Sequence, residues 1–362
     1  MKHRLFLILC IALVAGCAEL RYYRQSVLGH LAITHNAQPI ASLLAEPAVD
    51  NTLRTKLQTI ERAREFATHT LLLPANNSYR EFVDLERGYA LQNLYAAEEF
   101  STELKRWCYP VIGCANYRGY FDEAMLLAHD RRLRERGYDT HIGQVTAYST
   151  LGWFDDPVLN TFTDLPNYRM VGLIFHELAH QKLYIRDDTA FNESFATAVE
   201  RAGMAIYYED ASNPEPLHNY HRYLERRQVV AELAAGTRRA LAELYALPLA
   251  PTDKRTRKRE LLLQLDAQYL ALAGLPDNPP AHAGEPRFNN ARLGLFAVYT
   301  AHVTAFLNLL DFYGGDFSAF YAAVSTIAGL DAGDRARCLQ QWAAEGRSHR
   351  ETTEDACAGM SD

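Results

Sequence analysis

The chain has 362 residues, 37 basic and 44 acidic, for a formal charge of −7, with 48% hydrophobic and 22% charged residues. That composition excludes a disordered chain, a collagen-like chain and a multi-span membrane protein, and the length allows one large or two smaller domains. No basic block is dense enough to track a phosphate backbone, so nucleic acid is not an expected partner.

At the N-terminus Lys2, His3 and Arg4 precede an apolar run, Leu5 to Ala15, which is too short to span a bilayer as a stable helix. This is the pattern of a secretory signal over residues 1–16. The run ends Val14-Ala15-Gly16-Cys17, which resembles the lipobox of bacterial lipoproteins. The resemblance implies an acylated Cys17 heading the mature chain, with residues 17–36 as anchor and tether and the body at 37–362. Ala18, standing where inner-membrane lipoproteins carry Asp, points by the same analogy to the outer membrane, with the protein facing the periplasm. Several acyl chains on one residue anchor stably where a single chain is marginal.

With Cys10 in the signal and Cys17 acylated, four cysteines remain. An oxidising compartment allows three pairings. Cys108–Cys114 and Cys338–Cys357 close the shortest loops and are preferred. A zinc site from the same four is disfavoured, because their separations are not those of close C-x₂₋₄-C knuckles.

In chain order, Leu20 to Leu73 reads mainly as helix, with Ile40, Leu43 and Leu44, then Leu53, Leu57, Ile60 and Phe66, at helical spacing. Pro74 to Ser78 is a turn, and a further helical stretch follows. Trp107 to Tyr120 is a disulfide-bearing loop, and a helix from about Phe121 to Arg136 is capped by Gly137. His141 to Thr150 is the best strand candidate, with few competitors. A loop from Gly152 to Pro166 leads to a helix starting near Asn167, and another helix follows Asp188. Leu217 to Ala273 predicts long helices interrupted around Leu247 to Thr252, with a possible helical subdomain from about residue 215. The basic run Lys254 to Arg259 reads as a solvated helix face. Gly274 to Pro286 is a loop, and a helical pair closes the chain. No repeat or low-complexity tract interrupts this order. The fold class expected is mainly α with a small sheet.

The chemistry concentrates at His176-Glu177-Leu178-Ala179-His180, inside an apolar helical stretch that begins at Met170. Four residues is about one helical turn, so the two imidazoles face one way and suit two corners of a tetrahedral zinc, with Glu177 beside them as a base. A buried pair of histidines beside a carboxylate also needs a strong partner, which a cation supplies. Asn192-Glu193-Ser194-Phe195-Ala196 lies on the next predicted helix, which could return Glu193 over the first. The preceding strand offers an edge for an extended substrate.

This set resembles the gluzincins, zinc peptidases with two histidine ligands from H-E-x-x-H and a glutamate from a following helix. The resemblance implies a zincin-like fold, one zinc held by His176, His180 and Glu193, and Glu177 as general base. Glu200, seven residues past Glu193, is a candidate to orient a ligand histidine, or is simply a surface carboxylate. More narrowly, the chain resembles a family of bacterial lipoproteins known as predicted aminopeptidases. The segments that carry this likeness are Trp107-Cys-Tyr-Pro, Gly113-Cys114, Tyr117-Arg-Gly-Tyr-Phe121, Ala147 to Pro157, His176 to Gln181, Phe191 to Ala196 and Asn289-Asn-Ala-Arg292.

On this reading the substrate is a peptide or protein, and zinc polarises the scissile carbonyl while Glu177 shuttles the proton. Tyr299, Tyr148 and His302 are candidates for the oxyanion partner, with Tyr299 taken first. An aminopeptidase also needs a carboxylate for the free amine, from a pool of Glu123, Asp155, Asp156, Asp187, Asp188 and Glu200. The alternatives are a zinc endopeptidase, or a lipid-anchored assembly or binding protein in which zinc only staples two helices.

Overall fold

The computed structural model describes residues 2–109, 113–147, 149–150, 153–209, 213–272, 284–298 and 302–345, with side chains from Glu19 onward except at 297–298 and 345. The side chain of Cys17, and residues Tyr148, Tyr299 and Cys357, therefore lie outside the described residues. The chain is mostly helical, 62%, with small sheets.

Helix α1 (Lys2–His35) leads to β1 (Gln38–Pro39), α2 (Ile40–Ala45) and α3 (Asn51–His69). Asp50 caps α3 by accepting from the backbone N–H groups of Thr52 and Leu53. The helical stretch expected after Ser78 is instead β2 (Glu81–Val83) and β3 (Leu91–Glu98). Gln92 to Ala97 are all buried, so β3 shows no alternation of apolar and polar residues. A strand covered on both faces loses the period-2 signal, and its Leu, Ala and Glu content favours helix until sheet pairing overrides it. The hairpin of β4 (Trp107–Tyr109) and β5 (Gly113–Ala115) is closed by a Cys108–Cys114 disulfide. Cys338 is buried and disulfide-bonded, and its expected pairing with Cys357 falls outside the described residues.

After β6 (Arg118–Tyr120), Asp122 caps α4 (Glu123–Glu135), and Gly137 takes φ +83° just past its end. β7 (Tyr138–Val145) starts three residues before the predicted strand and pairs antiparallel with β3 over eight positions. Residues 146 and 147 leave the sheet, and Thr150 is held by Asp156. The main sheet has the order β6-β3-β7, leaving β7 at an edge. Asn289 donates to the carbonyl of Thr140 on that strand at 2.8 Å. A second sheet joins β1, β2 and β8 (Val158–Leu159), followed by α5 (Asn160–Thr163).

The remainder is helical: α6 (Asn167–Lys182), α7 (Thr189–Tyr207), α8 (Glu215–Ala246), α9 (Pro251–Leu270), α10 (Asn290–Val298), α11 (Val303–Phe312), α12 (Phe317–Ala328) and α13 (Ala332–Glu345). Four helices stand where a final pair was expected, because the Gly314-Gly315 turn and the Asp316 cap split the apolar tail. The main core surrounds α6 and α7 with side chains from α3, α11, α12 and α13, while α8, α9 and α10 share a second apolar cluster. The basic run on α9 is only partly solvated: Lys258 is 8% exposed and binds Asp139 at 2.7 Å, and Arg255 binds Glu99. These pairs fasten α9 to the end of the main sheet.

Candidate metal centre

Helix α6 buries Met170, Val171, Ile174, Phe175 and Leu178, and ends at Leu183. His176 and His180 project from it one turn apart. The connection to α7 is fixed by Asn192, which accepts from the Ile185 N–H at 2.8 Å and donates to the Ile185 carbonyl at 2.7 Å. Asp188 caps α7 through the Phe191 N–H and pairs with Arg335. Phe195, buried against Phe306, Phe320 and Tyr321, seats the helix in the core. These contacts bring Glu193 to the two histidines.

His176 Nε2 and His180 Nε2 lie 3.2 Å apart; Glu193 Oε2 is 3.4 Å from the first and Glu193 Oε1 3.8 Å from the second. The three candidate ligand atoms all lie within 4.8 Å of one another. Two imidazole nitrogens and a carboxylate are donors that could hold a metal ion, and tetrahedral zinc with bonds of about 2.0–2.1 Å would place its ligand atoms roughly 3.3–3.4 Å apart, near the shorter of these separations.

Glu200, one of the sequence candidates, also reaches this cluster. It accepts from His176 Nδ1 at 3.2 Å and, with its other oxygen, from the Tyr220 hydroxyl at 2.9 Å. Tyr220 comes from α8 and is 1% exposed. Gly172 makes room for the carboxylate, since a Cβ there would sit 3.0 Å from Glu200 Oε1. Burial works against a charged His176 ring, but hydrogen bonds to Glu193 and Glu200 outweigh it and hold the ring well above the usual histidine range. Burial pushes His180 down to about 4. Glu193 would be raised by its burial, yet the hydrogen bond with His176 and the charge of His180 hold it below the usual carboxylate range.

Burial raises Glu177 to about 7, with the carboxylates of Glu193 and Asp156 adding to the rise. Its neighbour Gln181 donates to Ser78 at 3.2 Å and to Asp156 at 3.4 Å, while Thr150 donates to Asp156 through its N–H and hydroxyl. This network ties the segment after β7 to the C-terminal half of α6.

The centre opens on a cleft of about 1550 Å³, walled by the main sheet, α1, α7, α8 and α10. Of the six amine-binding candidates, only Glu200 lines it, and that residue is engaged by His176 and Tyr220. Asp156 is buried at 2% exposure, Asp155 accepts from Asn77, Asp187 accepts from the Cys114 N–H, Asp188 caps α7, and Glu123 opens α4. His302 lines a separate small cavity with Asp188 and Arg335 rather than the cleft. Tyr148 and Tyr299 lie outside the described residues. Sequence reading missed Tyr117 and Tyr184, which line the cleft. Burial raises the hydroxyl pKa of both, and the charge of Glu193 adds to it. Only the Tyr117 tract in the family likeness hinted at one of them.

No curated protein and no solved structure matches the chain. Residues 21–339 match a family described as "Putative aminopeptidase", most of the chain, and the protein therefore belongs to that family.

Proposed function

We propose that the protein is a zinc-dependent peptidase of the bacterial cell envelope, of gluzincin type, acting as an aminopeptidase. The observation that carries this reading is the cluster of His176, His180 and Glu193, whose candidate donor atoms lie within 4.8 Å of one another, with Glu177 next to His176 in the chain. Zinc bound there supplies Lewis acidity toward the scissile carbonyl and acidifies its water. Glu177, raised toward neutrality, takes a proton from the attacking water and returns it to the leaving amine. Glu200 orients His176 from behind, with Tyr220 orienting Glu200. Tyr117, whose hydroxyl feels both Glu193 and Glu177, is our choice for the oxyanion donor.

Glu177→Gln should abolish hydrolysis while zinc stays stoichiometric, and His176→Ala should lose the metal; unchanged turnover in Glu177→Gln would sink the mechanism. Endopeptidase cleavage is the second reading, favoured by a cleft larger than the roughly 300–1,000 Å³ of ordinary small-molecule pockets. Free and N-blocked peptides assayed side by side separate the two.

Anchoring through an acylated Cys17 at the outer membrane is part of this proposal. In its support, α1 carries exposed Leu20, Val27, Leu28 and Leu31 just after Cys17, and exposed Trp153 and Phe154 lie nearby, with Phe154 packed on His30. Interfacial aromatics and an apolar helix face suit a bilayer surface.

A further inference from the structure

Helix α1 is fastened to the body almost from the residue after Cys17. Glu19 accepts two hydrogen bonds from the Arg118 guanidinium on β6, at 3.1 and 2.8 Å. Tyr22 is buried, with the same guanidinium 3.8 Å from its ring centre, and stacks on Tyr109 of the disulfide-closed hairpin. Gln25 accepts from the Phe121 N–H at 2.8 Å and from the Asp122 N–H at 3.3 Å. Gly29 lets the helix pass against the Phe121 ring, where a Cβ would come within 2.2 Å of that side chain. Ile33 completes the seam, buried in the main core. These positions recur every three to four residues, so one face of α1 is held along about four turns.

The same helix walls the cleft. Tyr22, Tyr23 and Ser26 line it together with His176, Glu177, His180 and Glu193. Cys17 stands on the same unbroken helix, just ahead of these lining residues. At about 1.5 Å of rise per residue, Tyr22 to Ser26 lie about 7–14 Å along the axis from Cys17. Laid flat on its exposed Leu20, Val27, Leu28 and Leu31, the helix would keep those residues within its own diameter of a bilayer, about 10–12 Å. In either orientation the near wall of the cleft stays within about 14 Å of a membrane that holds Cys17.

We propose that α1 is a rigid strut rather than a loose tether, and that it holds the cleft at the membrane surface so that its substrates are the N-terminal ends of polypeptides carried by the same bilayer. This rests on the reading of an anchored peptidase and names its substrate class. The physical reason is effective concentration. An end linked to the same surface meets the cleft as an intramolecular partner, and the frequency of meeting falls roughly as the −3/2 power of the flexible length between them once that length exceeds the span. A docked α1 adds no flexible length, so the substrate's own linker sets the frequency. A loose tether over 17–36 would add about 20 residues to every path and blunt the dependence. A linker of about 10 Gly-Ser residues has an r.m.s. length of about 16–19 Å, enough to reach the near wall.

The test uses acylated, zinc-loaded protein purified from a bacterial envelope and reconstituted into phosphatidylcholine vesicles. The substrates are alanine peptides with a free amine, tied by their C-termini to phosphatidylethanolamine through Gly-Ser linkers of about 10 or about 40 residues, and release of the first alanine is the readout. Wild type should cleave the short-linker peptide about eightfold faster than the long-linker one, the ratio that a fourfold change in length gives. Inserting about 20 Gly-Ser residues between Ala18 and Glu19 should reduce that ratio to about threefold, with zinc content and hydrolysis of untethered tetra-alanine unchanged. Gln25→Ala/Gly29→Ala, which loosens the seam away from the cleft lining, should move the ratio the same way. A wild-type ratio no higher than that of the insertion variant overturns the inference, and hydrolysis of free peptide in that case leaves the peptidase reading standing. Protein that carries no acyl chain and fails to join the vesicles rejects the anchoring and this inference with it, while free-peptide hydrolysis still judges the peptidase. No hydrolysis of free or tethered peptide rejects the peptidase reading, and the substrate class falls with it.

Discussion

Glu200 offers the sharpest test of how the proposed metal centre is held. Its two oxygens serve two donors, His176 Nδ1 at 3.2 Å and the Tyr220 hydroxyl at 2.9 Å. Glutamine has the same shape but only one acceptor, so in Glu200→Gln either the imidazole N–H or the tyrosine O–H meets an amide donor. A hydrogen bond to a charged group contributes about 1.5–3 kcal/mol and a neutral one about 0.5–1.5, so the net loss is about 1–2 kcal/mol. If that loss falls on the metal-loaded state, zinc binds about 5- to 30-fold more weakly, within the range for residues that orient metal ligands. Gly172→Ala perturbs the same carboxylate from the other side. Its Cβ, 3.0 Å from Oε1, forces a shift of a few tenths of an ångström, and the predicted weakening is smaller than in Glu200→Gln. Tyr220→Phe and the Glu200→Gln/Tyr220→Phe double variant complete a cycle whose coupling should be non-zero. The assay is competition with a chromophoric chelator, alongside thermal melts with the metal removed. Zinc affinity in Glu200→Gln within twofold of wild type would refute the reasoning, as would a loss explained wholly by a lower melting temperature of metal-free protein.

Four further outcomes are expected. Phe195→Ala empties a fully buried position two residues from Glu193 and should cost about 3–5 kcal/mol in chemical denaturation, with weaker zinc binding. His141 is held down to about 3 by burial, and His129 to about 4, both below the ordinary value of 6.5, so the unfolded state binds more protons at mildly acidic pH. Stability should fall as pH drops from about 6.5 toward 3, by at most about 1.4 kcal/mol per pH unit for each group, and His141→Gln should flatten that slope in melts across pH. Reducing the Cys108–Cys114 bridge should cost about 2 kcal/mol by the loop-entropy relation and speed zinc release, because the hairpin docks on Asp187 between the two ligand helices; unaltered release kinetics would exclude that coupling. Leu31→Glu and Trp153→Glu should lower binding of non-acylated protein to phospholipid vesicles in co-sedimentation, and equal binding would remove the apolar face from the anchoring proposal.

The elements around the candidate metal site were legible because their signals are local. Pro166 and Asp188 mark helix starts, the two histidines stand one turn apart, and the apolar residues before them announce a buried helix. β3 was not legible, since a strand covered on both faces by its neighbours carries no alternation, and its composition favours helix. Glu200 could be proposed from its helical phase with Glu193 as a residue orienting a ligand histidine, but the choice between that role and a surface carboxylate could not be made, because His176 and Gly172 meet it from the helix before and Tyr220 from the next. The amine-binding candidates were chosen for nearness in sequence to the motif. Burial, capping and hydrogen bonding in the fold engage Asp155, Asp156, Asp187 and Asp188 elsewhere, Glu123 opens α4 away from the cleft lining, Glu200 serves His176, and His302 was taken from the cleft by its place at the start of α11.

By itself the sequence determined the helical character of the chain, the phase of α6 and α7, and the residue types able to hold a metal, because helical period and donor chemistry are properties of neighbouring residues. Only the tertiary structure decided the 3.2 to 3.8 Å spacing of the donors, the Tyr220–Glu200–His176 relay and the place of α1 in the wall of the same cleft. Each of these joins residues from different helices, and their separation is set by how the apolar faces pack, which no single segment encodes.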